Sequence, residues 1–113
     1  MDSVRREDEL GWESHPFLPL QIKVFLDRRK DQADANCFLV RLPAGGEIPE
    51  HVHETQEDLI FVLAGRAKMW IDGVGDFGIE KGTFIRVPRN TRHRMYDVSE
   101  DILNYDVFVP PIF

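Results

Sequence analysis

A chain of 113 residues, 42% apolar and 30% charged, has room for one hydrophobic core and excludes a two-domain enzyme. Its longest unbroken apolar run, Leu59 to Ala64, is six residues, far short of the ~20 that cross a membrane. A net charge of -6 argues against a nucleic-acid-binding surface. The expectation is a soluble protein with no nucleic-acid or membrane partner. The opening MDSVRREDELGW has no apolar stretch for an export signal, so the cytoplasm is the default location. Cys37 stands alone in an apolar CFLV run and reads as a small buried thiol with no disulfide.

In chain order, residues 1–20 read as an arm whose first nine residues are mostly charged and disordered. Its continuation, GWESHPFLPLQ, suits an extended segment that covers a sheet edge. His15 lies there and reads as an ordinary hydrogen-bonded histidine. Residues 21–113 read as one domain. Segments rich in branched and aromatic side chains recur between turn residues: 21–26, 37–42, 58–63, 66–71, 83–87 and 102–109. Ile22, Val24 and Leu26 share one face, as do Phe38, Val40 and Leu42. The polar stretch 27–36 reads as a solvated connection with room for one helical turn, and Asp72-Gly73 marks a hairpin. No segment from Pro43 onward carries a helical apolar stripe, which leaves no helix for parallel crossovers. The class is all-β, an antiparallel sandwich or barrel.

Three of the four histidines fall in two places, His51 and His53 in PEHVHETQED and His93 in PRNTRHRM. Residues two apart on a strand point to one face, so a His-x-His pair can aim both imidazoles at one ion. A carboxylate and a third imidazole would complete a mixed nitrogen and oxygen shell. His53 and Asp58 differ by an odd number, so they share a face only if ETQE (54–57) forms a turn or bulge; Asp58, Ile60 and Val62 then point inward. Glu57 is the competing ligand, in phase with His53 on an unbroken strand.

The series Gly45-x5-His51-x-His53-x4-Asp58-x6-Gly65 resembles the first motif of the cupin superfamily, and Gly82-x5-Pro88-x-Asn90-x2-His93-x3-Asp97 resembles the second. The resemblance covers residues 45–97. It implies a jelly-roll β-barrel (an antiparallel double-stranded β-helix), usually dimeric, with a metal held by His51, His53, Asp58 and His93. Here Asp58 stands where the family usually has glutamate, Asn90 replaces a turn glycine, and Asp97 replaces asparagine. Asn tolerates the left-handed backbone that the turn needs.

Fe, Mn, Ni, Zn and Co all accept three imidazoles and a carboxylate, so the expected cofactor is one divalent transition metal. If His93 points inward, Met95 and Asp97 follow, while Arg92 and Arg94 face out. Val40, Ile60, Val62 and Met95, with Met69 or Tyr105, would line an apolar pocket for a small organic ligand. Arg86 and Arg89 flank the turn at the barrel mouth, as anchors for an anionic substrate group or as ordinary solvated charge. The substrate-binding candidates are therefore Arg86, Arg89, Met95 and Tyr105. Two functions follow: a dioxygenase-like oxidoreductase or isomerase acting at the metal, or a non-catalytic ligand-binding or sensory module. A homodimer through an edge strand and the outer face carrying Phe61 is expected.

Overall fold

A computed structural model of the chain describes residues 3–113. In chain order its elements are a 3-10 turn (Glu7–Glu9), β1 (Glu13–Ser14), β2 (Gln21–Leu26), a short helix α1 (Arg28–Asp31), β3 (Asn36–Leu42), β4 (Ile48–His51), β5 (Glu57–Ile71), β6 (Gly75–Glu80), β7 (Phe84–Val87) and β8 (His93–Val109). All pairings are antiparallel, along the path β1-β2-β3-β8-β5-β6 with β4 on β8 and β7 on β5. The all-β expectation holds. No helix among the described residues is long and apolar enough to cross a membrane.

The expected segments 58–63 and 66–71 are one bent strand, β5, and 102–109 is the second half of the long β8. β5 and β8 run together along both layers, and their register shifts between Val62 and Lys68. At the bend Gly65 has φ +96°, and a Cβ there would lie 2.2 Å from the Asp101 carbonyl oxygen, so only glycine fits this crossing. The shift changes which residues face inward: Asp58, Ile60 and Val62 are buried before it, Ala67, Met69 and Ile71 after it. β8 makes the same exchange at Asp97, whose φ of +47° puts its side chain in solvent. His93 and Met95 face in before it; Val98, Ile102, Asn104, Asp106 and Phe108 face in after it. The expectation that Asp97 follows Met95 inward is therefore corrected, and Tyr105 faces out beside Phe25. Phe38, Val40, Val62, Met69 and Ile102, each under 5% exposed, fill the space between the layers.

The Asp72-Gly73 hairpin forms between β5 and β6, with Gly73 at φ +85°. The polar stretch after β2 contains α1, capped by Asp27, whose side chain accepts from the Lys30 backbone N–H at 2.6 Å. Of the opening nine residues expected to be disordered, Met1 and Asp2 lie outside the described residues. The rest includes a 3-10 turn and is tied to the barrel: Arg5 pairs with Asp31 at 2.6 Å, and Lys23 reaches the Glu7 carbonyl at 3.1 Å. Trp12 lies under the charges of Arg41 and Lys23, 4.3 and 5.0 Å from its ring. β1 pairs with β2 of the same chain and covers that edge. This brings Leu18, Leu20 and His15 onto one end of the core.

Candidate metal centre

β4 ends at His51, which pairs across the ladder with His93, the first residue of β8. His53 follows in the loop, tethered where its carbonyl accepts from the Asn90 N–H at 2.6 Å. Asn90 takes the left-handed backbone expected of it, φ +56°. Two loops distant in sequence are thus locked together, and three imidazoles converge. Their ring centroids are 4.1, 4.9 and 5.3 Å apart, and their ligating nitrogens all lie within 4.8 Å of one another. Nitrogens bound ~2.1 Å from one ion would sit ~3 to 3.5 Å apart, so small side-chain adjustments suffice.

The carbonyls of Pro49 and Thr91 lie 2.7 and 2.9 Å from the Nδ1 atoms of His51 and His93. With Nδ1–H donating there, the Nε2 lone pair of each ring is left available to a ligand. Burial, followed by the neighbouring imidazoles, pushes His53 down to about 3. Burial and His51 push His93 down to about 4, and burial lowers His51. All three are neutral at pH 7, the form that binds a cation.

Behind the triad is a cavity of about 40 Å³, bordered by Asp58, Asn104, Asp106, Met69, Met95 and Phe108. Asp58 lies on its wall, as the turn at 54–57 predicts, while Glu57 points away and accepts from Arg86 at 2.5 Å. Asp58 is not within the 4.8 Å cluster, which among the described residues contains no carboxylate. Its partner is Asp106. Burial drives the Asp58 carboxyl up to about 7, opposed by a hydrogen bond from Asp106. Burial and then the charge of Asp58 raise Asp106 well above the ordinary range. The two acids hold a proton between them because two bare carboxylates cannot share so small a space.

His53 Nε2, His93 Nε2, Asp58 Oδ1, Asn104 Oδ1 and Asp106 Oδ1 are all buried without a hydrogen-bond partner. Buried polar atoms are nearly always paired, so their concentration around one cavity needs an occupant that accepts lone pairs. One divalent ion on the nitrogens, with one or two waters on the oxygens, fits both the donor set and the volume. An organic ligand does not fit inside, since such pockets measure roughly 300 Å³ and more.

Among the substrate-binding candidates, Met95 borders this cavity. Arg86, held by Glu57, and Arg89 are exposed, and Tyr105 lies on the outer face beside Phe25 and Cys37. Reading the sequence missed Asn104 and Asp106. Alternation alone points the wrong way here, because Leu103, Tyr105, Val107 and Val109 form the more apolar face, and the burial of Ile102, Asn104, Asp106 and Phe108 follows from the slip at Asp97. His15 is hydrogen-bonded as expected, its Nδ1 accepting from the Phe17 and Leu18 N–H groups at 3.0 Å, and its place at the cavity depends on the fold of the arm and has no spacing signature.

The family model of the cupin domain matches residues 38–109. Quercetin 2,3-dioxygenase of Bacillus subtilis is 34% identical over 71 residues, 63% of this chain but 21% of that protein. An uncharacterised Streptomyces coelicolor protein is 32% identical over 73 residues, 65% of this chain and 68% of that one. Among solved structures, a Thermotoga maritima protein described as a predicted oxalate decarboxylase superimposes with a TM-score of 0.81 at 18% identity, covering 95% of this chain and 98% of that one. Ectoine synthase from P. lautus gives 0.83 at 15% identity, covering 96% and 78%. The structural likenesses establish a shared fold, and with the family match over most of its length the chain belongs to the cupin domain family.

Proposed function

We propose that this chain is a metal-dependent cupin that binds one divalent transition ion through His51, His53 and His93 and acts on a small organic substrate as an oxidoreductase of the dioxygenase kind or an isomerase. The observation that carries the reading is the set of partnerless nitrogens and oxygens around one 40 Å³ cavity. The bound ion would polarise substrate oxygens and, if it is redox-active, exchange electrons with dioxygen. The chain's own contributions are geometric and protonic. Pro49 and Thr91 orient imidazoles through Nδ1, Asp58 and Asp106 keep a proton inside the cavity, and Phe108 packs against His53 at 4.9 Å. Asp58, which borders the same cavity and is paired with Asp106, is the carboxylate that would be available as a fourth ligand. The 34% identity to quercetin 2,3-dioxygenase supports the oxidative branch. The exposed Phe61, Leu63 and Phe84 support a homodimer across that outer face.

The test is dioxygen uptake and product formation by iron-loaded protein over a panel of small organic acids and quercetin, with His51→Ala as control. Turnover that disappears in the variant supports the enzyme. Saturable binding with no product over the whole panel assigns a non-catalytic binding module instead.

A further inference from the structure

A groove of about 430 Å³ lies outside the triad and shares His15, Leu18, His51 and His53 with the inner cavity. It is of the size that holds a small organic molecule, whereas the inner cavity is not. Phe17 and Ile112 give it apolar wall, and Phe17 is 71% exposed.

Two hydrogen-bond donors border this groove without a protein acceptor among the described residues. His15 is buried, and its Nδ1 accepts two backbone N–H groups, from Phe17 and Leu18, both at 3.0 Å. An Nδ1 that accepts twice carries no proton, so the hydrogen is on Nε2. That Nε2–H has no partner among the described residues. Arg28 is the second donor. Arg5, Arg66, Arg86 and Arg92 are engaged with Asp31, Glu80, Glu57 and Glu50. The Arg28 side chain makes no ion pair or hydrogen bond among the described residues, although its backbone is fixed by an N–H to the Phe113 carbonyl at 2.9 Å. Arg28 is exposed at the groove's rim, and Glu54, which also borders the groove, does not pair with it, so the guanidinium is available to an anion there.

We infer that this groove is a binding site for a small organic carboxylate with an apolar body, its charge held by Arg28 and one oxygen by His15 Nε2–H, so that the anion faces the metal centre through His51 and His53. The inference deepens the proposed function and names its substrate class. It also moves the anion anchor from Arg86 and Arg89, which border neither space, to a residue at the start of α1.

The test is calorimetric titration with benzoate, and with benzamide as its neutral isostere, of metal-free and cobalt(II)-loaded protein. Benzoate is expected to bind both forms, more tightly with cobalt, and benzamide at least about tenfold more weakly, since hydrogen bonds to a charged group contribute more than neutral ones. Arg28→Gln should weaken benzoate about tenfold. His15→Asn retains an oxygen that can accept from residues 17 and 18 while withdrawing the donor from the Nε2 position, its own amide N–H groups lying closer to the backbone, and should weaken it about fivefold. Arg28→Gln should leave cobalt affinity unchanged, and Glu54→Gln should tighten benzoate. Equal binding of benzoate and benzamide, or wild-type affinity in both Arg28→Gln and His15→Asn, overturns the inference. If wild-type protein takes up no cobalt, the metal reading fails by itself, and the metal-free titrations still decide the groove.

Discussion

Replacing both buried acids, Asp58→Asn with Asp106→Asn, should change how metal-free stability depends on pH, with a sign opposite to that of most carboxylates. A carboxyl whose pKa is raised on folding contributes stability that is fully present below its unfolded value and lost as pH rises through its folded value. Asp58 moves from 3.8 to about 7, roughly three units. At ~1.4 kcal/mol per unit this is about 4 kcal/mol lost between pH 4 and 8, and Asp106 acts in the same direction. The buried histidines push the other way over part of that range, so the informative quantity is wild type minus double variant, in which they cancel. The assay is urea denaturation at pH 4, 5, 6, 7 and 8 in the presence of chelator. The stability of the wild type relative to the variant should fall by at least about 4 kcal/mol across the series, with Asp106 adding to the Asp58 share. A difference that stays flat to within about 1 kcal/mol would refute the shared-proton description.

Gly65→Ala forces a side chain into φ +96° and 2.2 Å from backbone, and should cost at least about 2 kcal/mol in chemical denaturation, whereas Gly73→Ala, with open space around it, should cost about 1. Phe38→Ala removes a ring that is 1% exposed and packed on Phe108 and Phe113; the expected loss is about 3 to 5 kcal/mol by the same measurement. His93 is lowered from 6.5 to about 4, so the stability it contributes is present above pH 6.5 and lost as pH falls toward 4. The difference between wild type and His93→Gln should accordingly shrink by about 3 kcal/mol over that window in chelator, and thermal melts at matched pH check it.

What the sequence disclosed and what it hid divide along a physical line. Alternation within a strand was readable, so Phe38, Val40 and Leu42, and then Asp58, Ile60 and Val62, face inward as expected. The His-x-His pair and His93 were readable because their spacings are local to two turns. Parity could not be carried past a residue where the backbone slips: Asp97, at φ +47°, moves every later side chain of β8 to the other face, which puts Asn104 and Asp106 in the cavity and Tyr105 outside. Nor did composition reveal β4, interrupted by Pro49, or β6, which contains Gly75 and Gly78. The placement of His15 and Arg28 at one groove depends on contacts between the arm, α1 and the carboxyl-terminal residues, and no local pattern encodes it.

The central claim is that three imidazoles from two separate turns hold one ion. Elemental analysis of protein loaded with cobalt(II) and then desalted tests it most directly, on wild type and His93→Ala. About one ion per chain is expected in the wild type, with affinity falling at least about tenfold in the variant. A wild type that retains no metal, or a variant that retains as much as the wild type, would contradict it.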